Sequence, residues 1–347
     1  MNEKPIISII VPTYNAEKHV ANIIKIVINQ TFKNFELIIV DDLSKDKTVE
    51  IAKKFSDERI RIIERKINSG GPYAPRLDGV NASRGEWILY LDVDDSVDPN
   101  FVEELYNRVV TYDVDACSPQ MIRVNEKLVP LGWVIPSDNF AFDRVYSGYE
   151  AFNLTVPKWK IGMNGALIKK EVWVRATRIV STRDIVYRSD EVLSRFLLLE
   201  SRTYIACRAK YYYIDNPESV TGKFSLKYFG WIKSNSIFRD LIEERFGKES
   251  QEYRNIIVYD FYSYLSTLSL FVNKITEETL FREAYQHFLI WRDKLEWNIL
   301  SEEAKSVKKK LKVFFLKRPK LTIMYLSIRM HKYHVLKWAM KISYSKK

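Results

Sequence analysis

The residues of this chain that are equipped for chemistry gather in a few short polar clusters. The most acidic is Asp92-Val93-Asp94-Asp95, three carboxylates within four residues. Carboxylates this close repel one another unless positive charge sits among them. A hard divalent cation suits them, because Mg²⁺ or Mn²⁺ takes oxygen ligands, keeps one or two protein carboxylates and completes its shell with phosphate oxygens and water. The plainer alternative is a solvated acidic turn ahead of a helix near Pro99. A second pair, Asp41-Asp42, reads either as a turn and helix cap or as an acceptor for the imide N–H of a pyrimidine base. Asn68 and Arg76 flank the Gly70-Gly71 turn, and the planar fork of Arg76 can engage a diphosphate or simply lie on the surface. Asp190 and Glu191 precede the apolar run Phe196-Leu197-Leu198-Leu199. A carboxylate there either caps the helix or serves as a general base. The histidines, His19, His287, His331 and His334, stand apart from the acidic clusters and imply no His-based metal site.

The elements that must carry these clusters alternate in the first third of the chain. Residues 6–11, 35–40, 60–63 and 87–91 are short apolar runs, and each ends in a polar cluster. Between the first two, Val20, Ile23, Ile24 and Val27 recur at helical spacing over residues 17–29. Asp46 is placed to cap a helix running to about Phe55, and Pro72 to open a third helix. Continuous apolar strands separated by helices imply a mostly parallel sheet covered on both faces. In such sheets ligands bind outside the carboxyl ends of the strands. Thr13-Tyr14-Asn15, Asp41-Asp42, Asn68-Ser69-Gly70 and the Asp92 cluster should therefore face one crevice. Residues from Asp113 to about Thr221 add strands and loops to this core. From Ser225 onward the pattern is helical and aromatic-rich.

Composition narrows the classes. The chain has 347 residues, 46% hydrophobic and 29% charged, enough for a large core. Two cysteines, Cys117 and Cys207, rule out a disulfide framework and a Cys-rich zinc site and fit a reducing compartment. The apolar run near the start is too short for a signal sequence, and no stretch is long enough to span a bilayer. The net charge of +11 is local: residues 304–347 hold 14 Lys or Arg and no Asp or Glu, and the other 303 residues carry −3.

Five segments, in order, resemble family 2 of the nucleotide-sugar glycosyltransferases. They are Ile9-Ile10-Val11-Pro12-Thr13-Tyr14-Asn15, Asn29-Gln30-Thr31-Phe32, the run from Glu36 to Thr48 through Asp41-Asp42, Ala82-Ser83-Arg84-Gly85-Glu86-Trp87-Ile88, and Leu91-Asp92-Val93-Asp94-Asp95. The resemblance is close from Pro5 to Asp115 and looser to Thr221. It implies a GT-A fold, an α/β Rossmann-like sheet with helices on both faces, followed here by a C-terminal helical region. It implies a nucleotide-sugar-binding half over residues 1–112 and an acceptor-binding half over 113–224; the helical pattern sets residues 225–347 apart as a third region. By the same resemblance Pro12, Tyr14, Asp41 and Asp42 hold the nucleotide; Asn68 and Arg76 are added to them from the residue reading above. Asp92 and Asp94 contact ribose and metal, with Asp95 as a third metal ligand, and the cation is Mn²⁺ or Mg²⁺. Asp190 stands in the place of the catalytic base, with Ser189 where the family usually has Glu; a register one residue later selects Glu191. Leu43 replaces the glycine usual after the Asp pair, which changes the loop backbone. The implied reaction is inverting transfer from a UDP-sugar to a glycan or lipid-linked acceptor, with Arg76 or Lys223 helping to neutralise the leaving diphosphate. Two alternatives are a haloacid-dehalogenase-type phosphatase, which also uses an Asp-x-Asp motif, and a non-catalytic basic binding module.

The basic tail completes the expectations. Val307, Leu311, Phe314 and Phe315 fall on one helical face, with Lys308, Lys309, Lys310 and Lys312 around the rest. After Pro319, the residues Leu321, Met324, Tyr325, Ile328, Val335 and Ala339 fall broadly on one side. Apolar-plus-Lys helices of this kind read as lying in a membrane interface; the alternative is a helix packed on the catalytic domain with a solvated basic face. The expected partner is an anionic membrane surface rather than nucleic acid, which places a cytoplasmic enzyme on the inner face of the plasma membrane.

Overall fold

The computed structural model describes residues 4–181, 189–215, 224–304 and 317–341. The chain divides into two compact units, Met1–Asn216 and Pro217–Lys347. The first is α/β. Its opening elements are β1 (Ile7–Thr13), α1 (Val20–Ile28), β2 (Phe35–Asp41), α2 (Thr48–Ala52), β3 (Ile60–Glu64), α3 (Tyr73–Ala82) and β4 (Trp87–Tyr90). There follow β5 (Ser96–Val97), α4 (Phe101–Tyr112), β6 (Ala116–Val124), β7 (Pro130–Ile135), β8 (Tyr146–Ser147) and α5 (Gly148–Asn153). Last come β9 (Leu167–Lys169), α6 (Lys170–Ser181), α7 (Ser189–Glu200) and β10 (Thr203–Ile214).

The sheet runs β3-β2-β1-β4-β9-β6-β10-β5, with β7 on β6 and β8 on β10. Strands β3, β2, β1 and β4 are parallel neighbours, as are β6 and β10; β9 runs antiparallel between β4 and β6. Every residue of β1 and β2 is buried, as continuous apolar strands covered on both faces must be. In α1 the buried residues are Val20, Ile23, Ile24 and Val27, the four that set its helical period. Each such aliphatic contributes roughly 1.5–3 kcal/mol of transfer free energy when fully covered. The helix opens later than its apolar pattern suggests, at Val20. The residue preceding α2 is Lys47, not Asp46. Asp46 stands one position earlier and accepts from the Thr48 N–H at 3.0 Å and the Glu17 N–H at 3.0 Å.

The second unit is helical: α8 (Gly230–Phe246), α9 (Gln251–Lys274), α10 (Glu278–Lys294), α11 (Trp297–Glu303), α12 (Pro319–Arg329) and α13 (Tyr333–Lys341). Aromatic side chains fill its interior, with Tyr264, Phe271, Phe281, Phe288 and Trp291 meeting edge to face or stacked. A buried Asp260 carboxylate accepts from Asn235 at 2.6 Å and from the Trp291 indole N–H at 2.9 Å. The apolar residues of the last two helices do not share one side. Val335, Ala339 and Ile323 are fully buried, whereas Leu321, Tyr325 and Ile328 are exposed. The 3.6-residue period joins positions along one helix, but the break at Met330 resets the face presented by the next. Val307, Leu311, Phe314, Phe315, Lys308, Lys309, Lys310, Lys312 and Lys223 lie outside the described residues. Among the described residues, no helix is long and apolar enough to cross a membrane.

Candidate active site

Parallel register brings the strand ends together. Thr13 of β1 pairs with Asp41 of β2, Asp41 with Glu64 of β3, and Ile10 with Tyr90 of β4. The Leu91 N–H then donates to the Ile10 carbonyl at 3.0 Å, so β4 delivers Asp92 beside the end of β1. The sequence clusters at Pro12, Asp41-Asp42 and Asp92 consequently share one edge of the sheet.

The two Asp residues after β2 are both buried but differ in partners. Asp41 accepts from the Thr13 hydroxyl at 3.1 Å, from the Ser44 hydroxyl at 2.5 Å and from the Ser44 N–H at 2.8 Å. It closes its own loop. Leu43, between them in that loop, sits at φ +67°, the left-handed region a glycine adopts without strain. The backbone turn is thus formed without the glycine. Asp42 is paired with Arg65, which also holds Asp78 at 2.7 Å. Its carboxylate accepts from the Ser69 N–H and hydroxyl at 2.9 and 2.8 Å, and its carbonyl accepts from Asn68 at 2.7 Å. Asp42 therefore anchors the segment that carries Asn68 and Ser69 to the end of β2. Tyr14 is half exposed beside this region, and Pro12 is buried in β1. Asn15 knits the loops after β1 and β2, since the Lys45 N–H donates to its side chain at 2.8 Å.

The acidic cluster after β4 is split by its surroundings. Asp92 accepts from Arg76 at 2.6 Å and from the Asn164 amide at 3.1 Å. Arg76 is only 4% exposed, and its guanidinium lies 4.2 Å above the Tyr90 ring, so ring and carboxylate together fix it. As it stands, Arg76 is a partner of Asp92 rather than an open diphosphate clamp. Asn164 reaches Asp92 through an Asn-Gly turn. Gly165 sits at φ +69°, and a Cβ there would meet the Tyr211 ring at 2.5 Å. Asp94 is half-buried. Asp95 turns inward: one oxygen accepts from the Tyr211 hydroxyl at 2.5 Å and the other from the Ile214 N–H at 2.9 Å. Burial first, and then the neighbouring Asp92 charge, push the Asp95 carboxyl well above the usual carboxylate range. With both oxygens committed to β10, Asp95 fits a structural tie better than the metal-ligand role its position in the motif suggests.

Beyond Asn164 the edge opens into a cavity of about 280 Å³. Trp133, Trp159 and Tyr213 line it, with Glu191 and Ser194 from α7. Glu191 lies 3.5 Å from the buried Arg195 one turn on. Asp190 belongs to the first turn of α7, but its side chain lies outside the described residues. The described geometry therefore brings Asp92, Arg76, Asn164 and Glu191 into one neighbourhood, and Asp41, Asp42, Arg65, Asn68 and Ser69 into another. Sequence reading missed Arg65, Asn164 and the two tryptophans. Asn164-Gly165 carries a turn signal, and Arg65 follows the third strand at the same edge as the other clusters; both were open to discovery.

A crossover α/β sheet with acidic strand ends around such an edge is the GT-A architecture. Residues 8–167 match the model of Glycosyl transferase family 2. Glycosyltransferase GlyG of Streptococcus pneumoniae is 28% identical over 205 residues, covering 57% of this chain and 66% of that protein. Poly(ribitol-phosphate) beta-N-acetylglucosaminyltransferase TarS of Staphylococcus aureus is 32% identical over 126 residues, 35% of this chain and 22% of that protein. The crystal structure of S. aureus TarS 1-349 in complex with UDP-GlcNAc matches with a TM-score of 0.66 at 17% identity, covering 94% of this chain and 91% of that one. The chain spans between 20% and 66% of the length of the first curated relatives it matches.

Proposed function

We propose that this protein moves a sugar from a nucleotide-sugar, with a UDP-sugar as the expected donor, to a hydroxyl of a glycan or lipid-linked acceptor in cell-surface polysaccharide synthesis. The match of residues 8–167 to family 2 and the glycosyltransferase names of similar proteins support the class. The observation that carries the reading is Asp92, held at the end of β4 between Arg76 and Asn164 and beside a cavity that Glu191 lines. Asp41, Asp42, Asn68, Tyr14 and Pro12 border the same sheet edge and are assigned to the nucleotide.

Asp92 and Asp94 offer oxygen donors only, and among the described residues no three His, Cys, Asp or Glu side chains form a preassembled cage. That donor set fits Mn²⁺ or Mg²⁺ shared with a diphosphate, and the cation would supply positive charge to the leaving group when bound. Arg76 adds fixed positive charge beside Asp92. Asn164 orients the second oxygen of Asp92. A carboxylate at the start of α7, Asp190 or its neighbour Glu191, takes the proton from the acceptor hydroxyl. Direct attack by that oxygen on the anomeric carbon, with the diphosphate leaving from the opposite face, inverts the configuration. The basic tail is assigned to an anionic membrane surface on the cytoplasmic side.

The test is a panel of nucleotide-sugars with Mn²⁺ or Mg²⁺, scored by thermal shift and hydrolysis. A donor at 100 times its dissociation constant adds about 2.7 kcal/mol of apparent stability. If no nucleotide-sugar is stabilising or hydrolysed, the reading fails. Asp190→Asn should keep donor binding and lose turnover by roughly 10²–10⁴-fold. Should Glu191→Gln be the inactive variant instead, the base is one residue further along α7.

A further inference from the structure

The cavity beside Asp92 has a chemistry of its own. Asn164, Glu191 and Ser194 supply an amide, a carboxylate and a hydroxyl; Trp133, Trp159 and Tyr213 supply aromatic surface. Trp133 projects from β7 at 37% exposure, and its ring centroid lies 5.7 Å from that of Tyr213 across the sheet. The Arg195 guanidinium lies 4.1 Å from the Trp159 ring, and Arg195 is fully buried. No Lys, Arg or His is among the described residues lining the cavity.

We infer that this cavity is the acceptor subsite and that it takes an uncharged pyranose ring, with Trp133 as its stacking platform; the inference rests on the glycosyltransferase reading above. A pyranose has an apolar C–H face and a rim of hydroxyls. Aromatic walls match the face, and Asn164, Glu191 and Ser194 match the rim. A phosphate-bearing acceptor matches poorly. Its anion would lose water next to the Glu191 carboxylate, while Arg195, which faces Glu191 at 3.5 Å, is itself fully buried. Asn164 joins the subsite to the reaction centre, because the amide that lines the cavity also donates to Asp92 at 3.1 Å. Trp133 contributes to specificity, not to bond making.

The test is acceptor kinetics with the full chain, the donor that the nucleotide-sugar panel selects and two acceptor sets: neutral methyl pyranosides and oligosaccharides, and short glycerol- or ribitol-phosphate oligomers. Trp133→Ala should raise the acceptor KM about tenfold, and Trp133→Phe should recover most of that, as loss and return of an aromatic stack would. The donor KM should move by less than about twofold in both variants. An unchanged acceptor KM in Trp133→Ala, or preferred transfer to the phosphate oligomers, overturns the inference. A parent protein that hydrolyses no donor would overturn the catalytic reading separately. Tryptophan fluorescence titrated with methyl pyranosides then decides the subsite: saturable quenching in the parent that is lost in Trp133→Ala supports it, and its absence in the parent overturns it.

Discussion

Asp92, Asp94 and Asp95 stand within four residues and meet three different surroundings. Asp92 is paired with Arg76, Asp94 is half-buried, and Asp95 is spent on Tyr211 and Ile214. Substitution should separate them. Asp94→Ala should abolish metal-dependent transfer and change stability by less than about 1 kcal/mol, as an incompletely buried side chain off the core does. Asp95→Ala should instead cost about 2 kcal/mol in urea unfolding, because it strands a buried hydroxyl and a backbone N–H. Equal stability of the two variants would remove the distinction. Leu43 allows a second test. It is 42% exposed and held at φ +67°, so little packing offsets the left-handed backbone, which costs about 1 kcal/mol or more. Leu43→Gly should raise the unfolding midpoint slightly, by up to about 1 kcal/mol, with transfer intact; a loss of stability would mean that Leu43 packs usefully. At this scale the sequence marked the acidic positions, because residue type and strand-end placement are both visible in it. It did not separate their roles. That depends on which way each side chain turns, and Tyr211, which captures Asp95, is 116 residues away.

At the scale of elements, β1 to β4 were legible because each is a buried apolar run bounded by polar turns. The other half of the sheet was not. β5 and β8 have two residues each and β9 three, too few for any period. β10 changes register between Ala206 and Lys210, which interrupts its alternation. One buried carboxylate ties this half together. Asp115, just before β6, accepts from the Arg202 side chain at 2.8 Å and lies 3.0 Å from Lys169, while its carbonyl accepts from the Lys169 N–H. Burial alone would raise the Asp115 carboxyl, but the Arg202 and Lys169 interactions outweigh it and hold it well below the usual range. Its unfolded counterpart takes up a proton near pH ~4. The folded state binds that proton only at lower pH, so the stabilisation is complete above pH ~4 and lost as pH falls toward the folded value. Asp115→Asn should cost about 2 kcal/mol at neutral pH and flatten the decline in stability below pH ~4. Urea midpoints of parent and variant measured from pH 7 downward check this. Parallel curves would show that Asp115 does not contribute to the acid limb. The motif around Arg84-Gly85 is likewise structural. The Gly85 N–H donates to Ser8 at 2.9 Å, Arg84 pairs with the buried Glu36, and a Cβ on Gly85 would collide with the Ser8 backbone.

At the scale of the whole molecule, charge is segregated as strongly as fold: fourteen of the 55 basic residues fall in residues 304–347, where no acid balances them. The helical unit shows which apolar residues of that tail are already occupied. Ile323, Val335 and Ala339 are fully buried, and Trp338 lies 5.7 Å from Phe281 of α10. Removing everything after Glu303 would uncover these contacts, so truncation should destabilise the helical unit rather than release a clean catalytic fragment. The outward residues Leu321, Tyr325 and Ile328 are 36%, 61% and 55% exposed, at spacings that put them on one face of α12. Lys320 and Lys332 are near that face in sequence. An exposed apolar stripe among lysines suits an anionic bilayer. Each basic side chain near such a surface adds ~1 kcal/mol, screened by salt, and each inserted large apolar side chain adds roughly 1.5–3 kcal/mol when fully covered. The full chain should therefore sediment with phosphatidylglycerol-containing vesicles at low salt and less at high salt. Replacing Leu321, Tyr325 and Ile328 together by Gln keeps the charge, spares the buried face and favours helix. This variant should bind the same vesicles at least about tenfold more weakly, with an unchanged thermal midpoint. Equal sedimentation of parent and variant would assign membrane attraction to charge alone and leave the α12 stripe without that role.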